Sequence, residues 1–195
     1  YPMRYTSVAT LVCCAAATAQ PSFSPIGSYP GGQLPSVALG VSGDGSTVVA
    51  YGGPTSGLTR AFRWTVQTGT VGLGSLPGGN DVSHAQGVNY DGSVIVGESE
   101  GRAFRWDAEN GVQEIGDGSR GSFATGVSDD GSVVVGSFAG GSVLVGGRVW
   151  EGEDIEQSFR WDAESGLVPL GWLPIDSPPP LLGGGHGARG VSADG

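Results

Sequence analysis

Apolar residues in this chain arrive in short bursts closed by glycine, and the bursts carry two patterns. Val133, Val134 and Val135 are consecutive, a run that fits a strand covered on both faces; a half-solvated strand would alternate. Phe62, Arg63 and Trp64 do alternate. Side chains along a strand project to opposite faces in turn, so the two rings share one face and the arginine takes the other. No stretch beyond the first twenty residues holds helical spacing over several turns. The pattern predicts an all-β protein.

The bursts recur in a fixed order. Asp-Gly pairs stand at Asp44-Gly45, Asp91-Gly92, Asp130-Gly131 and Asp194-Gly195, with spacings of 47, 39 and 64 residues. Between them lie "AFRW" at Ala61 to Trp64 and Ala103 to Trp106, and "SFRW" at Ser158 to Trp161. "LGSLPGG" from Leu73 to Gly79 matches "IGSYPGG" from Ile26 to Gly32. Asp-Gly between apolar segments signals a hairpin, because glycine tolerates positive φ. One unit then reads as four short strands: "AQGVN", a turn at "YDGS", "VIVG", "AFRW", a turn at "DAENG", and "VQEIG". Four meandering strands in ~40–47 residues is the size of a propeller blade.

The expected fold is therefore a β-propeller-like array of four-stranded antiparallel blades, with an open β-solenoid as the alternative. Residues 20–195 are expected to form one repeat domain of about three complete repeats and a truncated fourth. Two insertions fall between strand signals: "GGSVLVGGRVWEGEDIEQ", which reads as an extra hairpin or an alternative register, and "LPIDSPPPLLGGGHG".

The N-terminal residues read as a leader. Met3 and Arg4 precede the apolar run Val8 to Ala17, and Ala17-Thr18-Ala19 fits a small-x-small cleavage site. Residues 3–19 are thus expected to be a signal peptide, and the mature chain to be extracellular or at the cell surface. Cys13 and Cys14 both lie in that leader, so the mature chain is expected to contain no disulfide and no cysteine metal site; a lipoprotein cysteine is the alternative. Without Arg4, eight arginines and no lysine stand against nineteen carboxylates. That charge repels phosphate backbones and argues against nucleic-acid binding.

With these phrases in place, the chain resembles the extracellular HAF-repeat family of bacterial proteins. Units of that family combine an Ala-Phe-x-Trp strand, a Leu-Gly-x-Leu-x-Gly-Gly turn and a glycine-valine hairpin. The histidine that precedes Ala-Phe in the family is Arg60 and Arg102 here, and the third unit reads Gln157-Ser158. The resemblance implies secretion and a repeat scaffold, and it carries over no catalytic residue.

Candidate chemistry is sparse. Asp44, Asp91 and Asp130 read as turn residues, since the several oxygen positions and closing carboxylate of a full calcium loop do not follow them; no metal or cofactor is expected. Arg63, Arg105 and Arg160 recur with the strands. They either pair with carboxylates such as Asp107 or Asp162, or grip anionic groups through paired hydrogen bonds. Trp150 and Trp172 are non-repeated and are candidates for stacking on sugars. His84 and His186 lack a strand-to-helix serine elbow, and the clustered acids Glu98, Glu100, Glu151, Glu153, Asp154 and Glu156 read as surface charge. The sequence points to a secreted, non-enzymatic scaffold that binds an unknown protein or glycan partner. A polysaccharide-acting propeller hydrolase or lyase, and a passenger domain of a surface-anchored protein, are the alternatives.

Overall fold

Val41 and Val48 face each other across the first Asp-Gly turn, and the same hairpin opens each unit. In the computed structural model, residues 25–27, 31, 35–53, 58–116, 121–139, 142–145, 148–151, 156–170 and 188–195 are described. The expected leader and the whole of the second insertion, with Trp172 and His186, lie outside them. The described residues form strands joined by turns.

The first sheet runs β1 (Val37–Val41), β2 (Thr47–Gly52), β3 (Arg60–Thr65) and β4 (Gly69–Gly72), paired in chain order. The second repeats that order with β5 (Ser83–Val88), β6 (Val94–Ser99), β7 (Arg102–Asp107) and β8 (Gly111–Glu114). The third begins with β9 (Ser122–Val127) and β10 (Val133–Ala139). There the chain leaves the sheet for an extra hairpin, β11 (Ser142–Val145) and β12 (Arg148–Glu151), and returns as β13 (Glu156–Asp162) and β14 (Gly166–Pro169). All pairings are antiparallel.

The sheets stack face to face, which is why the valine runs need not alternate. In β6, Ile95 enters a core with Val49, Ala61, Phe104 and Trp106 between the first and second sheets. Its neighbours Val94 and Val96 enter a second core with Ala103, Val134 and Phe159, between the second and third. Val133, Val134 and Val135 are at most 6% exposed. Phe104 and Trp106 share the first core while Ala103 joins the second, as period-two alternation requires.

Serines and turns staple the stack. Ser83 Oγ accepts from the Ala61 N–H at 3.0 Å, and Ser122 Oγ accepts from the Ala103 N–H at 2.9 Å, each across to the preceding sheet. Successive hairpin turns are also bonded: the Asp44 N–H donates to Tyr90 O at 3.0 Å, Tyr90 N–H to Asp129 O at 3.3 Å, and Asp129 N–H to Ala193 O at 3.1 Å. The opening strands share one irregularity, a register shift that leaves Leu39, Gln86 and Thr125 without opposing residues; such bulges bend a strand and increase its twist.

The Asp-Gly connection is longer than a two-residue hairpin turn. Five residues, Ser42 to Ser46, separate β1 from β2, and only Gly45 takes positive φ, at 73°. Asp44 instead accepts from Ser42 Oγ at 2.6 Å and the Ser46 N–H at 2.8 Å. Gly92 and Gly131 repeat the conformation at 75° and 74°.

Candidate functional site

The arginines recur on one face of their strands, but their surroundings divide them. Arg105 donates to Asp107 Oδ2 and Arg160 to Asp162 Oδ2. The other oxygen of each aspartate closes the following turn: Asp107 Oδ1 accepts the Asn110 N–H at 2.8 Å and the Glu109 N–H at 3.1 Å, and Asp162 Oδ1 accepts those of Ser165 and Glu164. The Asn110 backbone bond and the Arg105 pairing hold the Asp107 carboxyl below the usual range. The Ser165 backbone bond and Arg160 do the same for Asp162. Both arginines thus pair with the aspartate two residues further along their own strand.

In the first sheet Thr65 stands where Asp107 stands in the second. Thr65 Oγ1 still closes its turn by accepting the Thr68 N–H at 3.1 Å, but it offers nothing to Arg63. The Arg63 guanidinium lies over the Trp106 ring of the next sheet, 5.2 Å from its centroid, and its Nε is buried without a hydrogen-bond partner. Trp106 is 8% exposed beneath it. A guanidinium on an indole face combines cation–π attraction with stacked planar surface.

Between the second and third sheets the equivalent groove is open. A cleft of ≈ 810 Å³ is lined by Arg105, Asp107, Asn110, Gln113, Glu114 and Ile115 from one side. Arg160, Trp161, Asp162, Ala163 and Glu164 line the other, together with Gly131, Ser132 and Val133 where the chain enters β10. Trp161 is half-buried there and also packs against the second core. Sequence reasoning named the arginines and, among tryptophans, the non-repeated Trp150 and Trp172, and passed over Trp161. The visible signal was the exchange of Thr65 for Asp107.

A second cluster breaks the repeat. His84 Nδ1 bonds Glu98 Oε1 across β5 and β6, and His84 Nε2 lies 2.6 Å from Oγ1 of Thr59, just ahead of β3. The Tyr51 ring meets the imidazole edge-on at 4.5 Å. Burial alone would raise the Glu98 carboxyl, but the His84 bond, the Gly101 N–H at 3.0 Å and the imidazole charge together hold it low. The result is a hydroxyl, an imidazole and a carboxylate in line. Reading Glu98 as a surface acid missed this; its residue is only 7% exposed.

The turn aspartates are occupied locally. Asp130 accepts from Ser128 Oγ at 2.6 Å and from the Ser132 N–H and hydroxyl at 2.9 and 2.8 Å, which pushes its pKa down to about 2. Among the described residues no three His, Cys, Asp or Glu side chains cluster to hold a metal ion. Arg60 and Arg102, which open the two "RAFRW" strands, pair with Asp81 at 3.1 Å and Glu114 at 3.0 Å. The backbone of Trp150 lies in β12 opposite Val143.

Fold and site together define an all-β, propeller-like repeat protein with an open groove between two of its sheets. No protein-family model matches the chain, and no curated protein matches it. Among solved structures it is similar to a protein assigned as TolB from Agrobacterium tumefaciens, at 21% identity and a TM-score of 0.46 over 70% of this chain and 49% of that one. It is also similar to TolB from Acinetobacter baumannii, at 17% identity and a TM-score of 0.42 over 70% of this chain and 32% of that one. The chain thus spans half or less of either protein. No helix among the described residues is long and apolar enough to cross a membrane.

Proposed function

We propose that this chain is a secreted, non-enzymatic repeat scaffold that holds a protein or glycan partner in the groove between its second and third sheets. The observation that carries this reading is the contrast between equivalent grooves. One is closed by Arg63 over Trp106; the other is kept open by the Arg105–Asp107 pair. An open groove between stacked, hydrogen-bonded sheets holds its side chains in place before a partner arrives, which lowers the ordering cost of binding. The test has two arms. Fractionation should find the chain outside the cell, shortened at the leader, and retention in the cytoplasm would count against secretion. A photo-crosslinking residue at Gln113 should capture a partner that Asp107→Thr abolishes; no adduct in either form would reject the scaffold reading.

A second reading, a propeller hydrolase or lyase acting on polysaccharide, draws on the Thr59–His84–Glu98 line. Hydroxyl, imidazole and carboxylate in that order are the elements of nucleophile activation. Release of new reducing or unsaturated sugar ends from polysaccharide, lost in both Thr59→Val and Glu98→Gln, would favour it over the scaffold.

A further inference from the structure

We propose that the groove between the second and third sheets is a binding site for a neutral sugar chain, with Trp161 as the stacking platform; this rests on the scaffold reading above. Three features argue for that ligand class. First, Trp161 lines the cleft half-buried, whereas its counterpart Trp106 is covered by Arg63. An indole open on one side suits the apolar C–H face of a pyranose ring.

Second, the polar groups beside it are planar and come in donor–acceptor pairs. Arg105 is bonded to Asp107 and Arg160 to Asp162, with the amide of Asn110 also on Asp107 Oδ1 at 2.9 Å. A guanidinium next to a carboxylate offers vicinal hydroxyls both donors and acceptors on a fixed frame. Gln113 adds a further amide to the lining.

Third, charge selects against acidic sugars. The lining holds two guanidinium groups against four carboxylates, and both guanidiniums are already paired. An anionic glycan would meet net negative charge and would have to displace an internal carboxylate. A cationic ligand finds three of the four carboxylates, Asp107, Asp162 and Glu114, already bonded to an arginine, which leaves only Glu164 at the rim to attract it. Hydrogen bonding to uncharged hydroxyls remains. The cleft, ≈ 810 Å³, lies within the ~300–1,000 Å³ of small-ligand sites.

The first sheet supplies the discriminating variant. Asp107→Thr reproduces Thr65, which keeps the turn closed but releases the arginine. Arg105 is then free to lie over Trp161 as Arg63 lies over Trp106, and the platform is covered. Calorimetric titration with cellohexaose, xylohexaose, chitohexaose (N-acetylated) and hexagalacturonate should show saturable binding of a neutral hexasaccharide, and at least tenfold weaker binding of the anionic one. Asp107→Thr should weaken the neutral ligand at least tenfold while its melting temperature stays within a few degrees of the parent. Trp161→Phe should weaken it less than Asp107→Thr.

Three results would overturn the proposal: no neutral sugar binds, hexagalacturonate binds more tightly, or Asp107→Thr binds as the parent does. If sugars fail but the Gln113 crosslink still captures a partner sensitive to Asp107→Thr, the sugar assignment alone falls. If both fail, the scaffold reading falls with it.

Discussion

Gly131 presses against Val94: a β-carbon on this glycine would stand 2.6 Å from Val94 Cγ2. Gly92 meets Thr47 in the same way, and Gly195 meets Val133 at 2.6 Å. The glycine of each later Asp-Gly turn therefore has two duties, a left-handed backbone and close seating on the second strand of the preceding sheet. Gly45, in the first sheet, has nothing within 4 Å of such a β-carbon and performs only the first.

The two duties separate by mutation. Gly45→Ala should lose ~1–2 kcal/mol, the ordinary cost of a side chain in the left-handed region. Gly131→Ala should lose that and a further ~1–3 kcal/mol of overpacking against Val94. Urea denaturation of the two variants measures the difference, and equal losses would show that the turn does not bear on the preceding sheet.

Arg63 should matter more to stability than Arg105. Truncating Arg63 to alanine uncovers Trp106 and removes a stacked cation, for an expected loss of ~1–2 kcal/mol. Arg63→Lys should recover part of it, since an ammonium keeps the charge without the plane. Arg105→Ala leaves Asp107 still bonded to two turn N–H groups, and should lower the melting temperature by less. Thermal melts of the three variants order the contributions.

Acid should weaken the fold through its turns. The carboxyls of Asp44, Asp91 and Asp130 are all lowered, chiefly by the side-chain bonds from Ser42, Ser93 and Ser128 respectively. As pH falls from the ordinary carboxylate range, the unfolded chain takes up protons before the folded one, so stability is fully present above about pH 4 and drains toward about pH 2. Urea midpoints from pH 6 to pH 2 should trace that loss. Asp130→Asn should flatten the lower part of the curve, and an unchanged slope would mean that another group dominates.

The His84–Glu98 pair should be exchangeable as a unit. At the same register of the third sheet stand Phe123 and Ser137. His84→Phe alone strands Glu98 without its imidazole partner and should lose ~1–3 kcal/mol. Adding Glu98→Ser should recover much of that loss. Failure of the double variant to recover would mean that Tyr51 and Thr59 depend on the imidazole more than the carboxylate does.

Much of the scaffold was legible in the chain. Consecutive valines implied strands covered on both faces, and Val94 and Ile95 do divide between two cores. The second Gly-Ser-Val phrase, open between hairpin and alternative register, is the β11–β12 hairpin. The site was less legible. Arg63 and Arg105 sit in near-identical "AFRW" phrases, yet one stacks on the next sheet and the other turns back to its own aspartate.

Strand and turn patterns are short-range physics: alternation, glycine's access to positive φ and serine–aspartate bonding act within a few residues, so the repeated phrases sufficed to lay down four-stranded units and their order. The groove, the covering of Trp106 and the burial of Glu98 depend on side chains from different strands and sheets. Thr59 and His84 are 25 residues apart, and no local rule relates them. Only the stacking of one sheet on the next brought such groups within bonding distance, and it turned a one-residue exchange, Thr65 for Asp107, into the difference between a closed groove and an open one.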